Sequence, residues 1–289
     1  MDGAAATAFI TGGASGLGRA VTELLLQKGL VACNSIRVCV ADISQDGLRS
    51  LSENLNKDET VLLPVVVDVA DWDSLRQGFE KAVSHFQRID YIFPIAGVGE
   101  TRTFPNNPAS TGFQPPDLRA FEVNMNGFLY TISLALQQFR RQAVNELGFR
   151  GKIIVLGSVS GLYSMPCVPM CAAARHAQVG FVRSFGTYLA DEEKIFINVI
   201  CPNKIRTGLN TAEAFDKIEA AGVPLIEMKT VLDEVERLLG SNTLSGAIIE
   251  IAPKIGSVVR EPPAFINKES ERSAEMTLEL ARPLHQVVR

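Results

Sequence analysis

The sequence predicts an α/β fold: a doubly wound parallel sheet of about seven strands, in one domain with a C-terminal extension. Three observations carry this. Apolar runs of strand length alternate with amphipathic stretches of helix length. The first run passes through a glycine-rich turn directly into a helical segment. Small and polar residues (Gly12, Asp42, Asp68, Ala96, Ser158, Pro202) fall at the ends of the runs. Ligands bind at those ends in such sheets.

With 46% hydrophobic and 21% charged residues over 289 positions, the chain can bury one substantial core. A net charge of −4 argues against nucleic acid or an acidic membrane surface as partner. No apolar run is long enough to span a bilayer, and MDGAAATAFITGG has no basic n-region, so a cytoplasmic protein is expected. Five cysteines without CxxC spacing read as reduced thiols, with Cys33, Cys39 and Cys201 in core packing. Three scattered histidines form no ligand cluster, so no metal is expected.

Ala6–Thr11 is the first strand, and the following helix, RAVTELLLQKG, ends at Gly29. In the turn between them Gly12 allows the tight bend, while Gly16 and Gly18 let backbone and helix approach a pyrophosphate. Arg37–Ala41 is the second strand, with ACNS (32–35) before it as a small insertion. Asp42 at its end can accept both ribose hydrogen bonds and repel a 2′-phosphate, favouring NAD over NADP; its other reading is an N-cap for a helix starting near Gln45. Val61–Val69 is a strand buried on both faces, with Asp68 placed to contact an adenine amino group, and Trp72–Phe86 an amphipathic helix. Ile89–Ile95 is the fourth strand, running into Ala96-Gly97, and a loop with prolines 105, 108, 115 and 116 follows. Then come a long helix, Asp117–Arg141, the strand Lys152–Leu156 with Ser158 past its end, and a helix over Val168–Leu189. Ile195–Ile200 is a strand stopped by Cys201-Pro202; Thr207–Ala221 is a lid, Met228–Leu239 a helix and Ala247–Ile251 the last strand. Residues 1–255 form the domain; 256–289 turn polar, with weak periodicity near Glu271–Leu280, and read as a surface-packed or partly disordered appendage.

Over about residues 6–255 the sequence resembles the short-chain dehydrogenase/reductase family, whose fold is Rossmann-like. The matching motifs are T-G-x-x-x-G-x-G at Thr11–Gly18, the acidic Asp42, the Asp68-Val69 pair, N-x-x-G at Asn124–Gly127, and the strand-end Ser158. The resemblance implies a nicotinamide cofactor, NAD with NADP still open. It would be held by Thr11, Gly12, Ser15, Gly16, Leu17, Gly18, Asp42, Ile43, Asp68, Val69, Ala96, Gly97, Arg175, Pro202, Ile205 and Thr207. It also implies that Asn124 holds a water in the proton path and Ser158 bonds the substrate oxygen. It suggests a homodimer or homotetramer through the 117–141 and 168–189 helices.

The family's Tyr-x-x-x-Lys falls in register on Cys171-Ala172-Ala173-Ala174-Arg175, its Asn-Ala-Gly on Ile95-Ala96-Gly97, and its Pro-Gly on Pro202-Asn203. A ketone accepting hydride needs a proton on oxygen, and losing a positioned acid costs roughly 10²–10⁴-fold in rate. Cys171 is too short to replace tyrosine directly. Arg175 keeps a charge one turn away but does not deprotonate. Three functions stay open: an oxidoreductase of secondary metabolism acting on an imine, iminium or other small-molecule substrate that needs no tyrosine acid; a cofactor-bound non-redox enzyme of cyclase or isomerase type; and a catalytically silent nucleotide-binding protein. Tyr163, on the loop after Ser158, is either a displaced acid or a pocket wall. Lys204 is a weaker substitute for the missing ammonium, and Cys171, alone or paired with Cys167, a weak nucleophile or redox candidate.

Overall fold

The computed structural model describes residues 5–28, 36–101, 104–105, 109, 111–208 and 210–285. The helix end at Gly29, Cys33, the 32–35 insertion and Pro108 lie outside the described residues.

β1 (Ala6–Thr11) is buried along its whole length, as a strand covered on both faces requires. α1 (Gly16–Lys28) begins inside the glycine turn, three residues earlier than its apolar periodicity suggests. β2 (Ile36–Asp42) leads to α2 (Gln45–Leu55), whose N-cap is Ser44 and not Asp42. β3 (Leu62–Val66) is shorter than its apolar run, because the chain turns away once Val67 N–H has bonded Asp42 O. α3 (Trp72–Phe86) is capped by Asp71, and β4 (Tyr91–Pro94) follows.

The expected helix over 117–141 is broken. A single turn, α4 (Arg119–Phe121), opens into a π turn at Glu122–Asn126, where Gly127 N–H reaches back to Glu122 O, and only then does α5 (Gly127–Arg141) run on. β5 (Gly151–Leu156) ends before a 3₁₀ turn at Val159–Gly161, and α6 (Pro169–Tyr188) closes through a second π turn, Leu189–Glu193. β6 (Ile195–Pro202) takes in the Cys201-Pro202 pair expected to stop it and ends there, with Pro202 paired to Ile251. The stretch expected to act as a lid contains α7 (Ala212–Ala220), and α8 (Met228–Leu238) leads to β7 (Ile248–Ala252).

The sheet has eight strands in the order β3-β2-β1-β4-β5-β6-β7-β8. The eighth, β8 (Gly256–Val259), lies beyond the expected last strand and pairs antiparallel with β7; all other pairs are parallel. Its sequence, GSVV, is too short to signal a strand alone. α9 (Lys268–Ala281) carries no buried residue and starts three residues before the weak periodicity that marked it. Two cores flank the sheet. Ala8, Ile10, Val38 and Val40 face one with α1, α2 and α8, and Phe9, Cys39, Ala41 and Ile92 face the other with α3, α5 and α6. This is the period-2 alternation of strands covered on both sides. Cys39 and Cys201 are buried, and burial pushes the Cys201 thiol up to about 12.

Gln142 locks β4 to the end of α5. Its buried amide donates to Ile89 O and Arg150 O, both at 2.8 Å, and accepts from Ile89 N–H at 2.9 Å. Gln142→Ala strands three backbone groups and is expected to lower unfolding free energy by roughly 2–4 kcal/mol in urea titration; a loss under about 0.5 kcal/mol would show the lock is dispensable.

Candidate active site

The C-terminal ends of β1, β2, β4, β5 and β6 line one edge of the sheet, and the order turns outward in both directions from the β1–β4 pair. Such a switch point leaves a crevice between the diverging loops. On its β1 side the glycine turn is held tightly. Gly12 has φ +70° and donates to Ala41 O at 2.8 Å. A Cβ at Gly12 would lie 2.6 Å from Ala96 Cα, and one at Gly18 would lie 2.0 Å from Gly12 O. Gly16 also has positive φ, and a Cβ there would lie 3.7 Å from Thr207 Cβ, so Thr207 sits against this turn. Ser15 is exposed, and the first turn of α1 carries no acidic residue. Close-packed glycines and an uncompensated helix N-terminus fit a phosphate group.

Asp42 is nearly buried, and its carboxylate accepts Ala14 N–H at 3.0 Å and Ser44 N–H at 2.9 Å, tying β2 to the glycine turn. Ile43 beside it is exposed. Asp68 accepts Ala70 N–H at 2.9 Å within its turn, and Val69 is buried where a Cβ on Gly127 would strike it. Thr11 Oγ accepts Ala96 N–H at 3.4 Å. Leu17 packs against the core, Pro202 ends β6, and Ile205 is buried and bridges to Ile226.

On the β5 side the structure brings together Gly97, Asn124, Cys171 and Arg175. Asn124 is buried; its Oδ1 accepts Val98 N–H at 2.9 Å and its Nδ2 donates to Val98 O at 3.0 Å. Its own carbonyl, within the π turn, accepts Gln178 Nε2 at 2.7 Å. Arg175 donates through Nη1 to Leu156 O and Gln178 Oε1, both at 3.0 Å. A Cβ on Gly97 would meet Arg175 Nη2 at 2.8 Å and Asn124 Oδ1 at 3.0 Å, so the three meet at one point. Burial pulls the Arg175 pKa down from its usual value.

Cys171 Sγ lies 3.6 Å from Asn124 Nδ2 and 3.7 Å from Val98 O. Its backbone N–H donates to Glu100 Oε2 at 2.8 Å. Burial, then the Glu100 charge, raise the Cys171 pKa, with Arg175 opposing less strongly. Ser158 Oγ accepts Ser160 N–H at 3.2 Å as cap of the 3₁₀ turn. Tyr163 turns elsewhere: its hydroxyl donates to the Glu250 carboxylate at 3.0 Å, and Arg260 bonds both groups. Lys204 is exposed.

Sequence reading missed Gln178, Glu100 and Val98. Gln178 sits one turn past Arg175, so helical spacing alone could have joined them. Glu100 lies in an irregular loop, where no periodicity reports a contact with Cys171, 71 positions away. Among the described residues no group of three or more His, Cys, Asp and Glu could hold a metal, and no helix is long and apolar enough to cross a membrane.

The family model of short chain dehydrogenases matches residues 6–217. The chain is 28% identical over 246 residues to a short-chain dehydrogenase/reductase of Acremonium egyptiacum, covering 84% of this chain and 77% of that protein. It is 26% identical to the 15-hydroxyprostaglandin dehydrogenase [NAD(+)] of Rattus norvegicus, covering 86% and 91%. The fold superposes with a TM-score of 0.71 on a 3-ketoacyl-(acyl-carrier-protein) reductase from Brucella melitensis solved with NADH, at 19% identity, covering 86% and 97% of the two chains.

A raised thiol pKa lowers the thiolate fraction at a given pH. Iodoacetamide at pH 7.5 is therefore expected to alkylate exposed Cys167 well before Cys171, followed by mass spectrometry. Faster labelling at Cys171 would make it a reactive nucleophile.

Proposed function

This chain belongs to the short-chain dehydrogenases, oxidoreductases that use a nicotinamide cofactor, and from that premise we propose that it binds NAD and reduces a C=N group, imine or iminium, in a small molecule. The convergence of Asn124, Arg175 and Cys171 at Gly97 carries this reading. It supports placing Cys171 and Arg175 at the family's tyrosine and lysine positions.

Gly12, Ser15, Gly16, Leu17 and Gly18 would hold the pyrophosphate, with Thr11 and Ala96 fixing the turn. Asp42 would take the adenosine ribose, its anionic carboxylate excluding a 2′-phosphate. Ile43, Asp68 and Val69 would flank the adenine; Gly97, Arg175, Pro202, Ile205 and Thr207 would border the nicotinamide ribose and ring. When bound, the cofactor supplies two electrons and a hydrogen nucleus to a carbon. Arg175, pinned to Leu156 O, would donate to ribose hydroxyls but relay no proton, because guanidinium holds its protons. Cys171 stays a neutral thiol. Ser158 Oγ would orient the substrate heteroatom, and Asn124, locked on Val98, would hold a water near it. Tyr163, committed to Glu250, would supply no proton here. No side chain in this set is a strong positioned acid, and an iminium requires none. The outward faces of α5 and α6 would pair two copies.

Two measurements test this. NADH is expected to bind more tightly than NADPH in calorimetry, with Asp42→Ala narrowing the gap; equal affinity for both in the native protein would remove the assignment to Asp42. Across ketones, alcohols and cyclic imines, nicotinamide turnover is expected with the imines, and with ketones roughly 10²–10⁴-fold less. Tight cofactor binding with no turnover on any probe would sink the redox reading.

A further inference from the structure

Tyr163 sits five residues past Ser158, on the loop that leads into α6. Its hydroxyl reaches 87 positions along the chain and donates to the Glu250 carboxylate, 3.0 and 3.1 Å from the two oxygens. Glu250 is buried in β7 and Ser158 follows β5, so the loop is carried across the width of β6. Arg260 closes the group into a ring. Its Nη1 donates to Glu250 at 3.0 Å and to the Tyr163 oxygen at 3.4 Å, and its guanidinium carbon lies 6.0 Å from the centre of the Tyr163 ring. Arg260 is itself placed by backbone: directly after β8, its N–H donates to Ile248 O at 2.7 Å. The start of the loop is held separately. Gly161 packs on α6 so closely that a Cβ would meet Arg175 O at 2.6 Å. Both Glu250 and Arg260 lie beyond residue 217, where the family match ends.

We propose that Glu250 and Arg260 are positioning residues for the substrate side of the site. Through Tyr163 they fix the loop between Ser158 and Cys171, so the β7–β8 hairpin sets how that loop meets a substrate. The inference rests on the role given to Ser158 above. Burial strengthens the hold. Tyr163 and Arg260 are each nearly half exposed, and an exposed pair would contribute little. The Glu250 carboxylate is buried, however, and losing either donor leaves a buried charge short of a partner. The three residues act through the loop, not on the reacting atoms. Loosening the loop removes binding that ground state and transition state share, which raises KM and leaves kcat in place.

The test compares the full-length protein, saturated with NADH, with Tyr163→Phe, Glu250→Gln and Arg260→Met. Hydrogen–deuterium exchange is read by mass spectrometry over residues 158–168, with β5 and β6 as internal references. Loop exchange is expected to quicken roughly tenfold in Tyr163→Phe and Glu250→Gln and about threefold in Arg260→Met, with β5 and β6 unchanged. Tyr163→Phe combined with Arg260→Met should exchange no faster than Tyr163→Phe alone, since both break one ring. Arg260→Lys, which keeps the charge, should fall between Arg260→Met and native. KM for N-methyl-3,4-dihydroisoquinolinium, or its dissociation constant with NADH bound where no turnover occurs, should rise about fivefold in each of the first three variants, with kcat and NADH affinity within about twofold of native. Should Glu250→Gln not fold, Tyr163→Phe and Arg260→Met, both at partly exposed side chains, carry the test. Loop exchange unchanged in the variants, or quickened with iminium affinity unchanged, overturns the proposal. An effect confined to Tyr163→Phe also overturns it, because that pattern marks Tyr163 as an acid in its own right. Quickened exchange and weakened iminium binding, with no turnover by the native protein, uphold the proposal and overturn the redox reading alone.

Discussion

Asn124 is held from two sides, and the arrangement of the site follows from that hold. Its amide closes on both backbone groups of Val98, and its carbonyl takes Gln178 from α6. The first contact fixes the loop after β4; the second fixes α6 against the break before α5. Gln178 also receives Arg175, which is anchored on the last residue of β5. One buried asparagine thus ties together three elements: the loop after β4, α6 and the break before α5. Asn124 itself lies in the π turn at Glu122–Asn126 that precedes α5.

The electrostatics follow from that geometry. Arg175 is a fixed cation that can bind but cannot shuttle a proton. Cys171 is held protonated by burial and by Glu100. The positions that would carry the family's proton transfer hold, on this account, a group that keeps its protons and a thiol that keeps its own. The glycine turn and Asp42 on the other side of the crevice are built as tightly as a cofactor cradle requires. On the proposed function, one crevice keeps cofactor binding and withdraws proton donation.

Much of the fold was legible because strands buried on both faces leave continuous apolar runs, as in AFIT, RVCVA and KIIVL. Strand ends were less legible. Pro202 could be the last residue of β6, since the next backbone donor into β7 comes from Asn203 to Ile251 O. β8 escaped notice because GSVV carries too little pattern, and its pairing is set by the adjacent turn into β7. The broken helix at 119–141 was illegible for another reason: periodicity reports which face is buried, not where backbone bonding lengthens by one residue into a π turn. The motif residues stood out through spacing, whereas Glu100 and Gln178 act through contacts between distant elements.

The central claim is that chemistry here proceeds without a proton moving from the protein to the substrate heteroatom. Reduction of N-methyl-3,4-dihydroisoquinolinium should be followed in H₂O and D₂O, with NADH carrying hydrogen or deuterium at the transferred position. The account predicts a normal isotope effect from the labelled cofactor and none from the solvent. A solvent effect on the same step would contradict it, because it would show a proton in flight with the hydride.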